Sequence, residues 1–164
     1  MAKHTSGPDT GASGPSLDVL RHTAAHVMAQ AVMRLFPGTR LDIGPATADG
    51  FYYDFDLPKA ITDEDLPRIE DEMRRIVRED IPIVRTELAR PEAIARMERA
   101  GQSYKAERLK ELPDGTVSIY EQGDFADLCR GPHLPSTGRL GAFKLLSIAG
   151  AYWRGDERNP MLTR

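Results

Sequence analysis

From residue 17 onward the apolar side chains Val19, Leu20, Val27, Ala31 and Leu35, with Thr23 among them, recur at intervals of three and four. That spacing lines one face of an α-helix. Ser16 can cap its start and Pro37-Gly38 stops it, so a helix is predicted from Ser16 to about Phe36. Leu41 to Leu57 changes period. Phe51, Tyr53 and Phe55 alternate with Tyr52, Asp54 and Asp56, between turns at Gly44-Pro45 and Asp49-Gly50, which predicts strands with one aromatic face. Thr62 followed by Asp65 resembles a capping box, and Leu66, Ile69, Met73, Ile76 and Val77 supply the stripe of a second amphipathic helix. Ile81 to Leu88 is strand-like. Pro91 fits a first helical turn and Gly101 a helix end, bracketing a third helix, with a short fourth over Ser103 to Leu112. Further strands are predicted at Thr116 to Glu121, Phe143 to Ile148 and Ala151 to Trp153.

Helices and strands do not alternate regularly along the chain, and there is no internal repeat. The pattern therefore predicts an α+β domain with a mainly antiparallel sheet beside helices, rather than a doubly wound parallel one. Residues 1–15 are rich in Gly, Ser, Thr and Pro without periodicity, so they bury too little apolar surface to offset their ordering and are expected to form a flexible leader. His4 lies in that leader and is given no role. Residues 16–164 form the expected domain.

The 164 residues, 40% hydrophobic and 29% charged, suit one globular domain. No apolar run approaches the roughly 20 residues that cross a bilayer, and no secretory signal opens the chain, so a cytoplasmic protein without membrane contact is expected. A formal net charge of -3 argues against sequence-independent wrapping of nucleic acid, while leaving a local RNA contact open. The single cysteine, Cys129, excludes an internal disulfide. It is a packing residue, a ligand or a reactive thiol.

His22 and His26 stand four apart on the first helix and so share a face. Cys129 and His133 repeat the spacing across the turn-forming Gly131-Pro132, and helix and loop can meet at one site. Two His with a Cys and a third His complete a tetrahedral zinc set. Isolated helical His pairs are, however, more often surface or core residues. HTAAH also lacks the Glu that zinc proteases use as general base. Lys105, in GQSYK, is either a solvated lysine or part of the site; Asp127 either orients an imidazole or caps the turn at Arg130-Gly131. Tyr152 and Trp153, beside Arg154, either stack on an exposed base or pack in the core, the second being favoured for adjacent strand aromatics.

HTAAHVMAQAVMRLFP, IGPATADGFYYDFD, GQSYK, DFADLCRGPHLPSTG and FKLLSIAGAYWRGDERNPML occur in that order over residues 16–164. Together they resemble the second N-terminal domain, the editing domain, of bacterial and eukaryotic threonyl-tRNA synthetases. Related alanyl-type domains share HxxxH and CxxxH but carry two glycines between Cys and His. Here Arg130, Gly131 and Pro132 intervene and AYWRGD follows, which favours the threonyl branch.

The resemblance implies an α+β fold of the threonyl/alanyl second additional domain type, a long central helix against a curved, mainly antiparallel sheet. It implies hydrolysis of the ester in seryl-tRNA(Thr). His22 and Lys105 would position and activate water, His26, Cys129 and His133 would shape the pocket, and Tyr53 and Asp127 would be supporting substrate contacts. No cofactor would be required; zinc remains an option, with His22, His26, Cys129 and His133 as its ligands. The implied partners are the charged acceptor end of threonine tRNA and the aminoacylation domain of a homodimeric parent, of which the chain would be a fragment unable to activate threonine or bind ATP alone. Two alternatives stay open, a free-standing, zinc-dependent alanyl-type deacylase and a tRNA-binding module without activity.

Overall fold

The computed structural model describes residues 14–164; the expected leader falls almost wholly outside them. The chain folds as α1 Leu17–Leu35, β1 Arg40–Leu41, β2 Phe55–Asp56, α2 Asp65–Glu79, β3 Ile83–Ala89, α3 Arg90–Arg99, α4 Ser103–Lys110, β4 Thr116–Gln122, β5 Phe125–Leu128, β6 Gly150–Tyr152 and β7 Met161–Thr163. It is an α+β fold in which every paired strand is antiparallel.

α1 begins where Ser16 accepts a hydrogen bond from the Val19 amide at 3.3 Å, as its N-cap position requires. Its middle is buried almost all round, from Thr23 to Val32. The small side chains Ala24, Ala25, Ala29 and Ala31 let neighbouring elements approach closely, which suits a central helix. α2 lies against it through Ile69, Met73 and Ile76, while Arg74, Arg75 and Arg78 face outward. Burying each of those three side chains stabilises the pair by about 1.5–3 kcal/mol before entropy is counted. The capping box is half formed: the Thr62 amide donates to Asp65 Oδ2 at 2.8 Å, and the Asp65 amide donates to the Thr62 carbonyl rather than to its hydroxyl.

Two sheets form instead of one. β3, β4 and β5 run in sequence order, with Gly123 at φ +64° turning β4 into β5. α3 and α4 cover one face through Ala93, Met97, Ala106 and Leu109, packed on Ile119. β1, β2, β7 and β6 make the second sheet. Hydrophobic burial divides accordingly into a cluster around α1 and α2 and a second around α3 and α4.

Several predicted strands differ. Leu41 to Leu57 keeps only β1 and β2 plus one bridge from Ala46 to Phe51. The alternation there is not inside-out either, because Asp54 is as buried as Tyr53 and Phe55. Arg164 from the far end of the chain explains this, holding Asp54 in a two-bond ion pair at 2.8 and 2.9 Å. Phe143 to Ile148 is not a strand. Its Leu145 amide donates to the buried Glu70 carboxylate of α2 at 2.8 Å, so the backbone bonds to a helix side chain instead of a ladder. β5 and β7 carry too short a pattern to be predicted. Trp153 opens a 3-10 turn and packs on Tyr104 at 5.2 Å between ring centroids, while Tyr152 is 42% exposed and no core residue.

Candidate active site

α1 presents His22 and His26 at different depths. His26 is buried, whereas His22, one turn nearer the start, is only half-buried. β5 presents Phe125 and Asp127 on the face turned to α1, with Ala126 and Leu128 packed into the other cluster, as a strand's period of two dictates. α4 brings Lys105 in from the second cluster, and the segment before β2 brings Tyr53. The seam between the two hydrophobic clusters is therefore polar.

Asp127 is the hub of that seam. His26 Nε2 lies 3.2 Å from its Oδ2, the Tyr53 hydroxyl donates to the same oxygen at 2.5 Å, and Lys105 Nζ stands 2.8 Å from Oδ1. The lysine contact is an ion pair without directed hydrogen-bond geometry. Exposure is 3% for His26, 2% for Asp127, 4% for Lys105 and 1% for Tyr53. Charges so deep persist only when paired. Burial opposes ionisation of Asp127, but Lys105 and then His26 overcome it and hold the carboxyl well below the usual carboxylate range. Burial likewise opposes protonation of His26; hydrogen bonding to Asp127 and Cys129 outweighs it and pushes the imidazole up to about 9. Tyr53 is raised well above the ordinary phenol by burial and by Asp127.

The loop after β5 brings the remaining residues in. Cys129 Sγ accepts from the Gly131 amide at 3.3 Å and lies 3.1 Å from His133 Nε2. Gly131 sits at φ +70°, and a Cβ there would collide with the Tyr120 hydroxyl, so this loop requires glycine. The His133 ring stacks on His26 at 4.2 Å, meets Tyr120 edge-on at 4.4 Å and approaches His22 to 6.0 Å. Burial first, then the neighbouring His26 and His22, push His133 down to about 3. His22 is lowered by burial and by His26. The site thus sets a cationic imidazole tied to a carboxylate beside two imidazoles held below the ordinary histidine range.

The four residues of the two spaced pairs come together, but unequally. His26, Cys129 and His133 place their ligand atoms within 4.8 Å of one another and could hold a metal ion; His22 stands outside that group. Zinc takes such nitrogen and thiolate donors, though the protonated His26 ring would have to lose a proton first. Lys105 is not a solvated lysine, and Asp127 orients an imidazole instead of capping the Arg130-Gly131 turn. Thr23 and Tyr120 enter the site without a sequence signal. Thr23 falls on the apolar stripe of α1, where spacing alone counts it as packing; in fact its hydroxyl lies 3.3 Å from His133 Nδ1 and accepts from the Leu134 amide at 3.0 Å.

A separate cavity of about 680 Å³ opens on the other side of α1, lined by apolar residues that include Leu20, Met28, Phe51, Phe143 and Leu145. Of the polar cluster only Tyr53 reaches it. No helix among the described residues is long and apolar enough to cross a membrane.

Residues 117–164 match the family described as the threonyl and alanyl tRNA synthetase second additional domain. The chain is 61% identical over 155 residues, 94% of its length, to a threonine–tRNA ligase of Rubrobacter xylanophilus, of which it covers 24%. It is 61% identical over 148 residues to that of Carboxydothermus hydrogenoformans, covering 90% of this chain and 23% of the relative. With that of Rhodospirillum rubrum the identity is 60% over 157 residues, covering 94% and 24%. The chain therefore spans about a quarter of the length of the curated relatives it matches.

Proposed function

We propose, for a chain that belongs to the threonyl and alanyl tRNA synthetase second additional domain family, that it is an editing hydrolase cleaving the ester of serine wrongly attached to threonine tRNA. The reading rests on one observation above the others. A buried Asp127 ties His26, Lys105 and Tyr53 into a charged network beside the neutral imidazoles of His22 and His133. Such a network is costly to bury without a use.

In the reaction we infer, His22 takes a proton from water as the water oxygen attacks the ester carbonyl. It is half-exposed, neutral near pH 7, and none of its nitrogens has a hydrogen-bond partner among the described residues. Lys105, anchored by Asp127, offsets the negative charge that develops on the carbonyl oxygen. Collapse of the tetrahedral intermediate expels the ribose oxygen, which receives the proton from His22, releasing serine and tRNA with an intact terminal hydroxyl. His26 is already protonated up to about pH 9 and holds Asp127 in place, so it shapes the site rather than acting as base. Proofreading is needed because a site sized for threonine rejects serine by only ~1–3 kcal/mol, the value of a methyl group. Serine fits the second, smaller site, whereas the extra methyl of threonine clashes there or displaces the water.

The chain would act as part of a longer, homodimeric cytoplasmic synthetase, meeting the charged acceptor end of threonine tRNA beside an aminoacylation domain. A metal-dependent alanyl-type deacylase is the second reading, favoured by the convergence of His26, Cys129 and His133. Bound zinc would supply Lewis-acid polarisation there. One experiment tests both readings: hydrolysis of seryl- and threonyl-charged threonine tRNA, and of seryl-charged alanine tRNA, by this chain. Selective loss of serine from threonine tRNA is expected. Equal hydrolysis of its seryl and threonyl forms would remove proofreading, and preference for the alanine tRNA would move the assignment to the second reading.

A further inference from the structure

We propose that Thr23 is a positioning residue that locks His133 as the Nε2–H tautomer, leaving His22 as the imidazole of the site whose ring nitrogens, among the described residues, are free to take a proton from water. The proposal rests on the reading of His22 as the residue that takes the proton from water in ester hydrolysis, and its geometry is that of the Thr23, Leu134 and Cys129 contacts to His133.

The argument is an account of hydrogens. Thr23 is fully buried on α1, one residue after His22. Its oxygen accepts from the Leu134 amide at 3.0 Å, and its other polar neighbour is His133 Nδ1 at 3.3 Å. A buried hydroxyl proton without an acceptor is costly, and a peptide amide can only donate. The Thr23 proton therefore goes to His133 Nδ1, which must carry a lone pair. The ring proton then sits on Nε2, 3.1 Å from Cys129 Sγ, a sulfur that already accepts from the Gly131 amide.

The opposite tautomer leaves one group unsatisfied. With the proton on Nδ1, both the ring and the Leu134 amide would donate to the Thr23 oxygen, and the hydroxyl proton would have no acceptor among the described residues. In the favoured arrangement both nitrogens of His133 are occupied, one accepting and one donating. Stacking on His26 and the edge contact with Tyr120 fix the plane of the ring, so no lone pair is turned toward solvent. His22 carries no such bonds. Two histidines that look alike in sequence thus acquire different duties from one hydroxyl.

The test reads the tautomer directly. Metal-stripped protein labelled with nitrogen-15 at histidine is examined by long-range proton–nitrogen correlation at neutral pH, with the His133 signals assigned by their loss in His133→Asn. The expected pattern is an unprotonated Nδ1 and a protonated Nε2, retained in Thr23→Ser. Thr23→Val, which keeps the shape and removes the hydroxyl, should show averaging between tautomers. Its kcat for seryl-tRNA hydrolysis should fall about tenfold, the worth of one hydrogen bond, with KM little changed. A protonated Nδ1 in the wild-type protein, or an unaltered His133 pattern in Thr23→Val, overturns the proposal. Should Thr23→Val fail to fold, the wild-type and Thr23→Ser spectra still decide. Absence of ester hydrolysis in the wild type would sink the editing assignment, while the spectra judge the tautomer independently.

Discussion

His26 Nε2 lies 3.2 Å from Asp127 Oδ2, joining the central helix to the last strand of a three-stranded sheet across a seam in which both side chains are almost wholly buried. Neither side chain could stay charged there alone. Lys105 closes the arrangement at 2.8 Å on the other carboxylate oxygen, so two cations share one anion.

Replacing Asp127 by Asn keeps the shape and removes the charge. Lys105 and His26 are then left as buried cations, and the protein should lose ~3–5 kcal/mol of stability in urea unfolding, the cost of breaking a buried pair. The His26 pKa should fall from about 9, read by its carbon-proton shift against pH. A stability change under 1 kcal/mol would contradict the network.

His22→Ala removes a half-exposed side chain that makes no hydrogen bond among the described residues, so melting should shift little. Hydrolysis of seryl-tRNA(Thr) should nevertheless drop by roughly 10²–10⁴, the usual contribution of a general base. Lys105→Ala should lose activity too, but with a loss of stability because Asp127 keeps only one of its two buried cations. Wild-type rates in both variants would sink the assignment of these roles.

Stability against pH should form a dome centred near the ordinary histidine value. His26, raised from 6.5 to about 9, contributes stability that is full below 6.5 and is lost as pH rises toward 9. His133, lowered from 6.5 to about 3, contributes stability that is full above 6.5 and is lost as pH falls toward 3. Asp127, also lowered, adds to the acid limb below its ordinary 3.8. Melting temperatures of metal-free protein across this range test the shape, and His133→Asn should flatten the acid side between about 3 and 6.5.

Zinc affinity should rise with pH toward about 9, since protonated His26 must release a proton before it can bind metal. Dialysis against chelator should leave seryl-tRNA hydrolysis unchanged if the metal-free reading holds. Calorimetric zinc titration at two pH values, with activity measured in parallel, separates binding from need.

Local pattern was a good guide wherever one element satisfies itself. α1, α2, α3, α4, β3 and β4 all lie where periodicity, caps and turn residues place them, because those signals act within a few residues of one another. It misled where the partner is distant. Leu145 bonds to Glu70 and Asp54 pairs with Arg164, and no local rule could reveal that an apparent strand would dock on a helix or that an alternating acid would be buried.

The candidate site divides the same way. By itself the sequence determined which residues share a helix face and which sit in a turn: His22 and His26, then Cys129 and His133, with five ordered motifs marking the family. Only the tertiary structure decided their states. Solvent exclusion, one shared carboxylate and one buried hydroxyl make His26 a cation, His133 a neutral donor and His22 the open acceptor. Spacing fixes direction along a chain, but protonation depends on what lies across the seam, and that is set only when Asp127, Lys105 and Thr23 arrive from three separate elements.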